Sequence, residues 1–185
     1  MTPRKDPKGR KRAMLEVAAQ EMVANGYEAL THRRVAELAG VPLGATTYYF
    51  TSLHELRTSA LQVVVEQCEE ELREIAQAVQ SCRGSAEGIA AQFASYLSDR
   101  ARLQAENLLY YAGVTQPELR PFAQLWIRRI TEILSEYTAP EAAQATAVYL
   151  DGVILHALLH DRPIDEAALR MAIAALMSTS LEKKP

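Results

Sequence analysis

One uninterrupted apolar stripe restricts the fold of this chain more than any other feature. Leu56, Leu61, Val64, Val65, Cys68, Leu72, Ile75, Ala76 and Val79 recur at helical spacing. Ser52-Leu53-His54-Glu55 opens the segment with a capping-box pattern, and Cys82-Arg83-Gly84 closes it. A long helix with one apolar face must be packed against other elements. Those elements read as helices too. Met14, Leu15, Ala18, Ala19, Met22 and Val23 keep the same period from a start at Asp6-Pro7 to a stop at Asn25-Gly26. Thr31 caps a second helix to about Ala39, and a third short one covers about Leu43–Tyr49. Beyond the long helix, segments 85–98, 100–113, 117–137, 140–160 and 165–181 repeat the pattern, with Thr138-Ala139-Pro140-Glu141 as a second capping box and Asp165 as a cap. No segment shows strand period. The chain has 30 Ala and 22 Leu against 19 Val plus Ile, which is helix-former usage. The expected fold is all-α, with about nine helices.

The long helix also decides the redox reading. Cys68 and Cys82 lie fourteen residues apart on it, about 21 Å at 1.5 Å per residue, which is too far for a disulfide. A reducing cytoplasm fits best. The N-terminus is basic, but no apolar run follows it as in a signal peptide. The longest stretch without Asp, Glu, Lys or Arg, Leu38–His54, holds two Gly and a Pro and is no membrane span.

The total charge of −3 argues against a nucleic-acid partner only until it is resolved along the chain. Residues 1–58 carry nine Lys/Arg and six Asp/Glu, net +3, while residues 59–185 carry eleven against seventeen, net −6. Phosphate affinity depends on local charge. Met1–Arg12 alone holds six basic residues and one acid, and residues 1–9 read as a mobile basic arm.

The basic part contains the most specific constellation. Ala36 gives a second helix room to approach, Gly40 supplies a turn open to positive φ, and Val35, Leu38 and Val41 can fill a joint core with Leu15, Ala18 and Leu30. That is a helix-turn-helix. Arg33 and Arg34 stand in the first turn of its first helix. Thr46, Thr47, Tyr48 and Tyr49 offer hydroxyls on the second for phosphates or base edges, and Thr46 fits helix packing equally well.

The run Gly40-Val41-Pro42-Leu43-Gly44-Ala45-Thr46-Thr47-Tyr48-Tyr49-Phe50, followed by Ser52 and Glu55-Leu56 and preceded by Asn25-Gly26-Tyr27 and Leu30-Thr31, closely resembles the signature of tetracycline-repressor (TetR) family regulators. The resemblance covers roughly residues 10–58. Leu150-Asp151-Gly152 and Leu158-Leu159 are similar to the family's dimer helix. The resemblance implies a helix-turn-helix DNA-binding domain over 10–56 and an effector-binding and dimerisation domain over 57–185. The function implied is that of a repressor binding a palindromic operator as a homodimer, released by a small-molecule effector. It assigns Arg33 and Arg34 to phosphates or bases, and Leu43, Gly44, Ala45 and Thr47 to base edges. Tyr48 and Tyr49 go to phosphates or the groove wall, and Phe50 to the core. It implies a dimer interface through helices 117–137 and 140–160. Two positions depart from the family: Thr47 stands for a usual Tyr, and Leu53 for a usual Lys, which removes one expected phosphate contact.

In the second domain, Tyr96, Trp126, Tyr110, Tyr111 and Tyr149 are candidate walls of an effector pocket, and Gln92, Glu106 and Tyr110 its polar groups. They serve equally as core residues. His156 and His160, four apart, have metal-ligand spacing but also suit a helix C-terminus. No metal or cofactor is expected, Cys68 reads as structural, and Cys82 beside Arg83 is the better redox candidate. Two other functions compete. An enzyme lacks any nucleophile, phosphate-loop or metal motif on suitable elements. A helical adaptor would use the apolar helices to bind a protein partner.

Overall fold

The computed structural model describes residues 7–160 and 162–178, and every regular element among them is helical. They form ten α-helices: α1 (Pro7–Asn25), α2 (His32–Leu38), α3 (Leu43–Tyr49), α4 (Leu53–Ser81), α5 (Ala86–Tyr96), α6 (Arg100–Thr115), α7 (Arg120–Ala123), α8 (Leu125–Ser135), α9 (Pro140–His160) and α10 (Glu166–Met177). Two 3-10 turns lie at Tyr27–Ala29 and Pro117–Leu119. The chain divides into two units, residues 1–67 and 68–185, and α4 contributes to both.

The first unit closes around Met14, Ala18, Met22, Leu30, Val35, Phe50, Leu56 and Leu61, all fully buried. Burying a side chain such as Phe50 is worth about 3 kcal/mol. α1 begins at Pro7, so Pro7–Gly9, assigned above to the mobile arm, are helical; residues 1–6 lie outside the described residues. The helix stops where Gly26, at φ 91°, donates its N–H to Met22 O at 2.9 Å. Thr31 caps α2 as expected, its Oγ1 accepting from Arg34 N at 3.1 Å. Arg57 holds the 3-10 turn from α4. Its guanidinium donates to Glu28 Oε2 (2.8 Å), Glu28 O (2.9 Å) and Leu30 O (3.2 Å) and lies 4.9 Å from the Tyr27 ring centre. The capping box at Ser52 is half formed. Ser52 Oγ accepts from Glu55 N at 3.0 Å, but the Glu55 carboxylate accepts from the backbone and hydroxyl of Thr51, both at 2.7 Å. Leu38 departs from expectation: it is 40% exposed, and Leu15 and Val41 are only half-buried.

The second unit packs α5 on α10, α8 on α9, and α6 on α7 and α9. Its core includes Leu72, Ile75, Ile89, Phe93, Leu109, Trp126, Ile130, Leu134, Leu150 and Ile173. The expected single helix over 117–137 is broken into a 3-10 turn, α7 and α8. Pro121 has no N–H to give the carbonyl of Pro117, which accepts instead from Arg120. The second capping box does not form. Thr138 Oγ1 donates to Met177 O at 2.8 Å, tying the start of α9 to the end of α10. α9 is long and apolar enough to cross a membrane by composition. It carries Asp151 at its middle, however, and buries Ala142, Ala143, Thr146, Ala147, Leu150, Val153, Ile154 and Ala157 in the unit, as a core helix does. Cys68 and Cys82 are free. Burial pushes the Cys68 thiol up, with the charge of Glu71 adding to it, which disfavours the reactive thiolate.

Candidate nucleic-acid interface and effector site

The α2–α3 joint follows from its sequence. Gly40 takes φ 64°, and its N–H and that of Val41 donate to Glu37 O (3.3 Å) and Ala36 O (3.0 Å). This Schellman closure needs a left-handed residue at Gly40. It turns the chain within three residues and lets α3 start at Leu43. On α3, Leu43 is 45% exposed and Tyr48 81%. Gly44 and Thr47 are exposed as well, while Ala45 and Tyr49 are half-buried. Tyr48 and Tyr49 meet edge to face with ring centres 5.2 Å apart.

Thr46, expected among the DNA contacts, faces inward instead. It is fully buried, and its hydroxyl hydrogen-bonds Leu43 O at 2.8 Å and reaches His32 O at 3.4 Å. It bolts α3 to the start of α2 and presents nothing to a duplex. Facing α1, Arg34 gives a two-pronged bond to Glu21, Nε to Oε1 at 2.9 Å and Nη2 to Oε2 at 3.1 Å. Those bonds hold the Glu21 carboxyl below its ordinary value. Arg34 therefore positions α2 against α1. Arg33 is exposed and makes no ion pair among the described residues.

The start of α1 adds what the sequence reading did not place. A groove of 320 Å³ is lined by Pro7, Lys8, Lys11, Arg12, Leu15 and Tyr49, so basic residues stand beside the end of α3. Lys11 Nζ lies 5.2 Å from the Phe50 ring centre, and Arg12 is held by Glu16 (3.0 Å) and Glu66 (2.7 Å). Phe50 sits in the core, as the family resemblance implied.

In the second unit four of the expected effector residues form a connected set. The Trp126 ring meets Phe93 edge to face at 6.1 Å, Phe93 lies 6.1 Å from Tyr96, and the Tyr96 hydroxyl donates to Glu106 Oε2 at 3.1 Å. Glu106 and Tyr110, four apart, share a face of α6, and the Tyr110 hydroxyl donates to Asp151 Oδ1 on α9. Glu106 is 1% exposed, and its Oε1 and the Trp126 Nε1 lack hydrogen-bond partners among the described residues. Burial drives the Glu106 carboxyl well above the ordinary carboxylate range. Asp151 adds to the rise and the Tyr96 hydroxyl opposes it. Burial raises Asp151 too, against the pull of Tyr110.

Gln92 and Tyr149 are half-buried on α5 and α9, and no hydrogen bond or ring contact among the described residues joins them to this set. Tyr111 is 47% exposed and points away from the core. Asp151 was missed as a site residue, although it is the lone charge between Ala142 and Leu159. With Tyr110, Asn107, Val148, Gly152, Ile154, Leu155 and Leu158 it lines a cavity of 290 Å³. His156 and His160 stack edge to face at 4.1 Å. Among the described residues no group of three His, Cys, Asp or Glu is placed to hold a metal.

A helix-turn-helix unit joined through one long helix to an all-helical unit with a buried acid among aromatic rings defines a class, the helical transcriptional regulators. The comparisons narrow it. The family described as "Tetracyclin repressor-like, C-terminal domain" matches residues 80–179. The chain is similar to a TetR-family member, SCO1917 of Streptomyces coelicolor A3, at 31% identity and TM-score 0.78 over 92% of this chain and 99% of that one. It is also similar to the multidrug binding protein EbrR solved with imidazole, at 30% identity and TM-score 0.76 over 95% and 98%. EbrR solved with ethidium gives 32% and 0.73 over 93% and 99%. No curated protein sequence matches. The chain belongs to the TetR family of transcriptional regulators.

Proposed function

We propose that this protein is a repressor that binds a palindromic operator as a homodimer in the cytoplasm and leaves it when a small aromatic effector enters the second unit. The observation that carries the DNA half is the split on α3. Thr46 and Phe50 anchor the helix, and Leu43, Gly44, Thr47 and Tyr48 are left outward. Ala45 and Tyr49 complete that ridge, with Arg33 on α2 and Lys8 and Lys11 on α1 as its phosphate contacts. Residues 10–56 serve as the reading head and 57–185 as the sensor and dimer body. Two heads on a two-fold axis read half-sites about one helical turn, or a near multiple, apart.

The dimer is carried by α9. Val148, Leu155 and Leu159 are 54%, 50% and 69% exposed and, with Gly152 between them, follow helical spacing along one face. The outer face of α8 is polar, with Arg129 bound to Glu132 at 2.6 Å, and forms the rim. For the effector, EbrR's ligands argue for a small aromatic molecule, received inside the second unit beside Tyr96, Glu106, Tyr110 and Trp126. Because α4 has residues in both units, an effector that shifts α4 at Cys68–Glu71 changes the spread of the two heads, provided it binds the shifted state more tightly.

Footprinting on the region upstream of its own gene tests this reading. A protected inverted repeat, filled by one or more dimers and cleared by an aromatic ligand, is expected. Protection of no repeat there or elsewhere in the genome overturns it.

A further inference from the structure

We propose that α3 selects its half-site by the C5-methyl groups of thymine, through Leu43 and Thr47, and not by hydrogen bonds to guanine or adenine. This rests on the reading that α3 enters the major groove, and it names the base chemistry that the helix recognises.

The longest stretch of the chain without Asp, Glu, Lys or Arg, Leu38–His54, contains all of α3. Asn and Gln are missing from it as well. In the major groove Arg or Lys pairs with guanine, Asn or Gln with adenine, Asp or Glu with cytosine, and apolar groups with the thymine methyl. Only the last kind stands on α3. Hydroxyls remain, but most are committed. Thr46 is buried and bonded to Leu43 O. Thr47 Oγ1 donates to Gly44 O at 3.3 Å, which turns the hydroxyl to the helix backbone and leaves the methyl as the outward group. Tyr49 lines the groove with Lys8, Lys11 and Arg12, on the side given to phosphates, and Tyr48 leans against Tyr49. Leu43, 45% exposed, and Thr47, one turn along the same face, are then the groups left for the bases.

Gly44, beside Leu43, is a second and independent observation. Its φ lies outside the left-handed region, and a Cβ added there would meet nothing within 4 Å. Glycine weakens a helix relative to alanine, and neither the backbone nor the packing of the described residues calls for it here. A close approach from outside does. Without a Cβ the helix backbone can sit near the floor of the groove, where the short apolar ends of Leu43 and Thr47 reach the methyl groups.

Duplexes selected from a random-sequence library with the full-length protein supply the probe. Deoxyuridine then replaces each thymine of the half-site in turn. This removes one methyl group and keeps every hydrogen-bonding group and the minor-groove pattern of the pair. By fluorescence anisotropy, two positions per half-site are expected to lose about fourfold in affinity for each methyl removed, the value of burying one such group. Cytosine at those positions is expected to bind weakly, and 5-methylcytosine, a different base with the same methyl, to recover part of the loss. Thr47→Ser keeps the hydroxyl and should no longer distinguish thymine from deoxyuridine at one of the two positions. Gly44→Ala should melt no lower than the parent without DNA, yet bind the selected duplex about tenfold more weakly, the scale of one wrong base pair.

Three results overturn the proposal and leave the repressor reading intact: selected half-sites that lack thymine, deoxyuridine duplexes bound as tightly as their thymine parents, or Gly44→Ala with the parent's affinity. The second would mean that A·T pairs are read through groove shape, which deoxyuridine preserves. The deoxyuridine series uses the unmodified protein, so a misfolded variant leaves the proposal refutable. A library from which no duplex is selected overturns the repressor reading and this one together.

Discussion

Replacing Thr46 with Val separates the two roles open to a threonine in a reading helix. The side chains are nearly isosteric, so the buried volume is kept and only the hydroxyl is lost. Its bond to Leu43 O at 2.8 Å is well formed, while the reach to His32 O at 3.4 Å is weak. One net buried hydrogen bond is worth about 1 kcal/mol. The Leu43 and His32 carbonyls keep their helical N–H donors, so the cost stays near that figure. For a chain of this size that corresponds to a fall in Tm of about 2–4 °C. Urea melts followed by circular dichroism give the stability change, and fluorescence anisotropy with operator DNA gives affinity and its salt slope. Thr46→Val should lose stability, keep its salt slope, and bind DNA normally at temperatures where it is folded. A variant as stable as the parent but without operator affinity would refute the packing role and return Thr46 to the DNA contacts.

Three further outcomes follow from the same geometry. Arg33→Ala should leave stability unchanged, weaken binding to all DNA sequences alike, and reduce the slope of log affinity against log salt by about 1; salt titrations of anisotropy check it. In the free protein Glu106 keeps its proton above the pH where the unfolded chain loses it, so the native state binds more protons and stability declines as pH rises. Urea midpoints should therefore fall between pH 5 and pH 8, and Glu106→Gln should flatten that decline and be more stable than the parent at pH 8. Leu155→Arg places a charge on the half-exposed apolar face of α9; sedimentation should find a folded monomer, and an intact dimer would move the interface off α9.

The helices were legible because their signals are local. Apolar period, the Thr31 and Asp165 caps and the Gly26 and Gly40 stops act within a turn or two of the backbone they control. One error lies where a distant group competes for the same atoms, and two lie in local chemistry that the spacing alone does not weigh. Thr138 has the spacing of a cap, but Met177 O, 39 residues away, takes its hydroxyl. The Glu55 carboxylate bonds one residue before the cap position that the pattern assigns. The helix drawn through Pro117–Tyr137 breaks because two prolines four apart leave a carbonyl without its usual donor.

The functional residues were legible in type but not in orientation. A short reading helix keeps every side chain within two turns of the joint, so Thr46 and Thr47 look alike until one is found buried and the other exposed. Arg33 and Arg34 divide in the same way, since only the second reaches Glu21. Asp151 shows what remains recoverable. A charged residue in the middle of a helix that is otherwise apolar for nearly twenty residues is unfavourable for folding, and burial raises its carboxyl. Tyr110 meets it from α6, and the two together floor a cavity. The expense of a buried acid is a sequence-level signal of its own: where no base lies within a turn on the same helix, the balancing group must come from another element or from outside the chain.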